Sequence, residues 1–208
     1  LSVALRTMHD ALVLNGKLVP GQSVLVLGAS SGVGIMGLQI ARLMGAGIVL
    51  GSSTTPARRS RLAEYGATGT IDTSDAGWSA AVLEATGGQG VDLVIDMLSG
   101  PGTNETMRAT RIGGRIVNVG RLAGMRAEFD FDLHALRRIQ YVGVTFRTRT
   151  PEEVAEICAA VERDLWQPLT EGKLTLPIDR VLPLDQAQQA LDEMKSNRHF
   201  GKIVLDCQ

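Results

Sequence analysis

The stretch Val24-Leu25-Val26-Leu27-Gly28-Ala29-Ser30-Ser31-Gly32-Val33-Gly34 constrains this chain more than any other. Four apolar residues in a row read as a buried strand. Small residues then turn the chain into Ile35-Met36-Gly37-Leu38-Gln39-Ile40-Ala41, which meets no charge before Arg42. That run predicts a helix packed on several sides. In a strand, glycine turn and helix of this kind, backbone N–H groups can approach an anion closely, because no side chain stands in front of them. The helix dipole adds to the attraction. The expected ligand is the pyrophosphate of a nucleotide. The spacing departs from the usual G-x-G-x-x-G, since Ser30 occupies the place of the second glycine. A turn like this also occurs as a plain strand–helix connection, so the rest of the chain decides between the two.

Beyond the turn, strands and helices alternate regularly. Strands are expected at 23–27, 47–51, 68–72, 91–96, 115–119 and 140–146, and helices at 32–44, 56–65, 78–86, 103–111 and 133–138. An amphipathic helix over 1–14 precedes them and stops at Asn15-Gly16. The first, second, fourth and fifth strands are apolar enough to be covered on both faces, as parallel strands are. The expected fold is α/β: a doubly wound parallel sheet of order 3-2-1-4-5-6, the Rossmann arrangement, binding its ligand at the carboxyl ends of the strands. The tail reads differently, with a helix at 151–166, an extended stretch at 174–182 and a helix at 184–194 capped by Asp185. A short strand at 202–205 closes it. The expected division is therefore 1–150 for the nucleotide-binding domain and 151–208 for a C-terminal segment.

Twenty-four glycines and an aromatic share of 4% suit many tight turns between strands and helices better than a β-sandwich. A net charge of −1 gives no footprint for nucleic acid. No stretch is long and apolar enough to span a membrane, and none reads as a signal peptide. Cys158 and Cys207 form neither a metal-type spacing nor a disulfide framework, so no metal is expected and a reducing cytoplasm is.

The second strand points to a particular nucleotide. In this fold an acidic residue ends that strand and holds the adenosine ribose when NAD is the ligand. Here no Asp or Glu occurs between Ala29 and Ala63, while Ser52, Ser53, Arg58, Arg59 and Arg61 do. A carboxylate would repel a 2′-phosphate, whereas serine hydroxyls and a guanidinium would bind it. NADP(H) is the expected cofactor, with Arg58 in the binding role and Arg59 and Arg61 on a solvated helix face.

The runs PGQSVLVLGASSGVG, ARLMGA, EYGAT, VDLVID, GGRIVNVG and HFGKIVLD occur in that order along nearly the whole chain. Together they resemble the zinc-independent quinone oxidoreductase branch of the medium-chain dehydrogenases/reductases, which includes zeta-crystallin-like and enoyl-reductase relatives. The resemblance implies that Ser31, Gly32 and Val33, beside Ser30, lie at the pyrophosphate, and that Ser53 and Arg58 hold the 2′-phosphate. It places Val119, Gly120 and Phe146 by the nicotinamide and its ribose, and Asn197 on the cofactor from the other side. Thr73 departs from relatives that have tyrosine there. The family carries a further GroES-like domain ahead of this region. The chain, which opens on leucine, is thus expected to be the cofactor-binding part of a longer enzyme, its C-terminal segment packing on that domain.

The implied activity is transfer of hydride from NADPH to a conjugated carbonyl or quinone. One alternative is the enoyl reductase module of a polyketide or fatty-acid synthase; another is a crystallin-like protein that binds NADPH without turnover. The implied partners are a small-molecule substrate (quinone, enone or enoyl thioester) and a second copy of the chain, paired through strand 140–146. No catalytic residue stands out. His9, His134 and His199 are isolated, and Asp92 and Asp96 read as structural. Neither Tyr65 nor Tyr141 has a lysine four residues on, so the tyrosine–lysine chemistry of short-chain dehydrogenases is not expected.

Overall fold

A computed structural model describes residues 1–196 and 198–207. Six parallel strands form one sheet in the order β3-β2-β1-β4-β5-β6. They are β1 (Ser23–Leu27), β2 (Ile48–Ser52), β3 (Gly69–Ile71), β4 (Val91–Asp96), β5 (Thr110–Asn118) and β6 (Gln140–Gly143). The expected architecture is the one observed. β1 is buried along its whole length, and β4 everywhere but Asp92, because helices cover both faces of the sheet.

The helices between the strands are α2 (Gly32–Leu43), α3 (Pro56–Arg59), α4 (Ser79–Ala85), α5 (Thr103–Ala109) and α6 (Phe131–Arg137). Ahead of them lies α1 (Ser2–His9), which runs into a π-helical stretch, Asp10–Asn15. Two apolar clusters, one on each face, share the work of burial. Met8, Leu12, Ile35, Leu38 and Ile40 belong to the face covered by α1 and α2. Leu25, Val82, Val94, Met107 and Ile116 belong to the face covered by α4 and α5. The absence of charge in the first turns of α2 is thereby explained: most of that helix is buried.

Several boundaries differ from those expected. The segment 56–65 is not one helix. α3 ends at Arg59, and a 3-10 turn, Leu62–Tyr65, comes after it. The break lets Leu62 bury completely while Arg61 lies 4.1 Å from the centre of the Phe200 ring. β5 starts at Thr110, not after the glycine pair, because its pairing with β4 shifts register between Val91 and Leu93. β6 ends at Gly143, so Phe146 lies beyond the strand; Val144 N–H still donates to the Asn118 carbonyl at 3.0 Å.

In the tail, α7 (Pro151–Thr170) starts with a Thr150–Glu153 capping box and continues past Trp166 through Pro168. Leu165 is buried and Leu169 packs on the core, which holds that last turn in place. α7 is also tied to α1: His9 Nε2 lies 2.8 Å from Asp164 Oδ2, and Arg149 pairs with the buried Asp10 at 2.9 Å. β7 (Ile178–Pro183) and β8 (Lys202–Asp206) form a separate parallel pair, with α8 (Ala187–Lys195) between them. Asp185 falls in a 3-10 turn, Leu184–Gln186, and does not cap α8; the N-cap is Gln186, without a side-chain bond. No described helix is long and apolar enough to cross a membrane.

Candidate functional site

The turn between β1 and α2 is built to stay open to backbone. Gly28 has φ +73°, in the left-handed region, and its N–H donates to Ser52 Oγ at 3.0 Å. A Cβ on Gly34 would lie 2.6 Å from the Ala29 Cα, so the first turn of α2 can meet the loop only as glycine. Ser31 caps the helix, its Oγ accepting from Gly34 N–H at 3.0 Å. The N–H groups of Gly32 and Val33 belong to the first turn, where a helix supplies no acceptor of its own.

Around this turn, at the carboxyl ends of the strands, lies a crevice of about 820 Å³. Ser30, Ser31, Ser53, Arg58 and Thr73 all line it. Ser53 and Ser30 join through their hydroxyls at 3.3 Å, which ties the end of β2 to the glycine turn. Arg58 Nη2 donates to Thr55 Oγ1 at 2.6 Å. Arg59 is not on a solvated face as expected: it donates to the Ser53 carbonyl at 2.8 Å and pairs with Asp72 at 2.7 Å. It thus bolts the serine loop to the end of β3. Arg61 is exposed, as expected, with its guanidinium over the Phe200 ring.

Of the other expected residues, Val33 packs against the core, and Gly32 is buried beneath the Lys202 side chain, which a Cβ there would meet at 2.6 Å. Val119 and Phe146 line a second cavity of about 630 Å³, together with Arg6, Asp10 and Arg121. The guanidinium groups of Arg6 and Arg149 lie 5.7 Å and 5.6 Å from the centre of the Phe146 ring. Gly120 lines neither cavity; its backbone presses on Met97 so closely that a Cβ would fall 2.6 Å from the Met97 carbonyl oxygen. Asn197 lies outside the described residues.

Asp96, the last residue of β4, lines the larger crevice. Its Oδ1 accepts from Leu98 N–H and Ser99 N–H, both at 2.9 Å, while its Oδ2 is buried with no hydrogen-bond partner. Burial raises its pKa, and the two N–H groups offset that only in part. Ser99, at φ +55°, donates to the Gly120 carbonyl at 2.8 Å and receives a short bond from Asn118. The loops after β4 and β5 are joined by this network. His199 and Lys195 also line the larger crevice, on the side of the tail. Sequence reasoning gave neither a role there, since only the fold brings them near Arg58. Among the described residues, no cluster of three or more His, Cys, Asp or Glu could hold a metal ion.

The sequence pattern of the zinc-binding dehydrogenases matches residues 32–163. The chain is 30% identical to the hybrid PKS-NRPS synthetase pyvA of Aspergillus violaceofuscus, over 99% of this chain and 5% of that protein. It is 27% identical to a quinone oxidoreductase of Rattus norvegicus, over 96% of this chain and 59% of that one. Among solved structures, the CurK enoyl reductase superposes with a TM-score of 0.83 at 25% identity, covering 99% of this chain and 60% of that chain. The chain thus spans about three fifths of the rat protein and a small fraction of the synthetase.

Proposed function

The chain belongs to the zinc-binding dehydrogenase family, and from that premise we propose that it is the cofactor-binding part of an NADPH-dependent quinone or enone oxidoreductase. The observation that carries the reading is the composition of the crevice at the end of β2. Ser52, Ser53, Thr54 and Arg58 line it there, and Asp72, just after β3, is held by Arg59. Hydroxyls and a guanidinium suit a phosphate monoester; a ribose diol without phosphate would call for a carboxylate acceptor.

In this reading the first turn of α2, with Ser30 and Ser31, holds the pyrophosphate, and Ser53 and Arg58 hold the 2′-phosphate. Val119, Gly120 and Phe146 flank the nicotinamide end. When bound, the cofactor supplies hydride. The chain's own contribution is to hold and orient it. Asp96 and Ser99 fix the loops after β4 and β5, at the nicotinamide end. A homodimer paired along the β6 edge belongs to the same proposal. Tyr141 lies on that edge, and Phe131 and Leu136 of the preceding helix are strongly exposed, so a second copy would cover them.

The similarity to a polyketide synthase and to the CurK enoyl reductase favours a second reading, an enoyl reductase module acting on an enoyl thioester. Both readings share the cofactor. The test is titration of the purified protein with NADPH and with NADH, before and after Arg58→Ala. NADPH is expected to bind more tightly, and the substitution to weaken NADPH about tenfold or more, as loss of a charge-assisted bond does, while sparing NADH. Equal affinity for the two cofactors would end the phosphate argument.

A further inference from the structure

We propose that the smaller cavity, beside Val119 and Phe146, is a carboxylate-binding site, and that the substrate it takes is a conjugated acid: an unsaturated compound with a carboxylate within a few bonds of its double bond. This rests on the cofactor reading above, in which Val119 and Phe146 flank the nicotinamide end, and it gives the substrate of that reading a charge.

Three cations line this cavity with nothing to neutralise them. They are Arg6 of α1, Arg121 after β5 and Arg147 after β6. Among the described residues, none of the three belongs to an ion pair. The carboxylate in the same wall, Asp10, is already held. Both of its oxygens accept from Arg149 Nη2, at 3.1 and 2.9 Å, and Oδ1 accepts from Asn15 Nδ2 at 2.9 Å as well. Asp96 is near enough to feel the charge of Arg121, but it is bonded to the N–H groups of Leu98 and Ser99 instead. The whole chain carries a net charge of only −1, so the excess of positive charge is local.

One of these cations also has an unmet donor. Nε of Arg6 is buried without a hydrogen-bond partner. Nη1 of the same guanidinium reaches only the Cys158 sulfur, at 4.0 Å. A buried donor left in this way is costly, and a ligand oxygen would relieve the cost. Arg149, which lies against the same Phe146 ring as Arg6, is spent on Asp10.

The rest of the lining suits the carbon skeleton of such a ligand. Val3, Val119, Val144, Phe146 and Val154 are apolar. An apolar wall takes a short hydrocarbon, and the guanidinium fork matches the two oxygens of a carboxylate. Closeness favours a carboxylate over a phosphate. The Arg6 guanidinium lies 5.7 Å from the centre of the Phe146 ring, at the end of the site where reduction takes place in the proposed reading. A carboxylate on the conjugated system fits that spacing. The phosphate of a pantetheine arm is held away from its thioester by the length of the arm. A fixed guanidinium also offsets the charge that reduction places on a conjugated acid. The arginines make no covalent bond to it.

The test is NMR of the protein saturated with NADPH, reading the arginine Nε–H resonances as trans-2-butenoate is added at fixed ionic strength. The neutral control is 2-butenamide, and phosphopantetheine is the competing anion. The Arg6 resonance is expected to shift with butenoate and not with the amide, and butenoate should bind about tenfold tighter, as a charge-assisted bond implies. Arg6→Gln should remove that advantage and leave the affinity for the amide unchanged. Arg121→Gln, at an exposed position, should weaken butenoate about threefold, and it serves as the test if Arg6→Gln does not fold. Equal binding of butenoate and the amide would overturn the proposal, and so would butenoate binding that survives both substitutions. A shift of Arg6 by phosphopantetheine but not by butenoate would overturn it as well. If NADPH alone shifted Arg6 and closed the cavity to butenoate, the cavity would belong to the cofactor and the proposal would fall. Titration of the same sample with NADPH and NADH reads the cofactor separately. With NADPH bound and butenoate not, only the carboxylate site fails; with no NADPH bound, the cofactor reading fails first and this inference fails with it.

Discussion

Asp92 and Asp96 stand at opposite ends of one strand, β4, and their surroundings differ in kind. Asp92, at the amino end, is fully engaged: Oδ2 accepts from Ser23 N–H at 2.8 Å and Ser23 Oγ–H at 2.7 Å, and Oδ1 meets Arg111 at 2.5 Å. Burial opposes its ionisation, but Ser23 and Arg111 outweigh it and hold the carboxyl below its usual value. Asp96, at the carboxyl end, has one oxygen satisfied and the other buried without a partner, and burial raises its pKa. The amino end of the sheet is arranged for stability. The carboxyl end tolerates a costly group, because loops that face a crevice must be fixed there.

The contrast can be erased most thoroughly at Gly34. A valine there would drive its Cβ to within 2.6 Å of the Ala29 Cα and the Gly28 carbonyl oxygen, which are backbone atoms that cannot step aside. Loss of about 3 kcal/mol or more in chemical denaturation is expected, and with it loss of cofactor binding. If the variant kept its stability and lost only the cofactor, the turn would be a purely functional element.

Asp92→Ala is the next largest. It should cost about 2 kcal/mol and leave NADPH affinity unchanged, since bonds to an ionised group are lost far from the crevice. The contribution of Asp92 should be in place above about pH 4 and vanish as pH falls through its lower folded pKa. Asp96→Asn is the smallest and opposite in sign. Asparagine keeps an acceptor for Leu98 and Ser99 but buries no charge, so a gain of about 1 kcal/mol is expected near pH 7. Because the folded pKa of Asp96 is raised, its ionised form weakens the fold as pH climbs, so the gain should shrink towards about pH 3. Denaturation curves across that range test both carboxylates together; a loss of stability for Asp96→Asn at neutral pH would mean that Oδ2 is worth more charged than neutral.

The sheet was legible in the sequence because apolar runs and glycine turns alternate, and each run can be read by itself. Where a boundary depended on a neighbour, it was not. β5 starts early because β4 changes register beside it, and α7 passes Pro168 because Leu165 and Leu169 reach the core. The same holds in the crevice. Ser30, Ser31, Ser53 and Arg58 lie on the elements that form the crevice and could be named in advance. Arg59 could not, because its partners, the Ser53 carbonyl and Asp72, are chosen by the fold of the loop. Nor could a role for His199, which shares the crevice wall with Arg58 only once β8 has crossed the mouth of α2.

That crossing has a consequence for timing. Ser31 bridges to Gly201, and the Lys202 side chain lies over Gly32. A ribosome delivers the chain in order, so the sheet can assemble while this cover is still untranslated. Until residues 201 and 202 are made, the turn between β1 and α2 stands without this wall. That wall of the crevice is thus completed only after the sheet it covers.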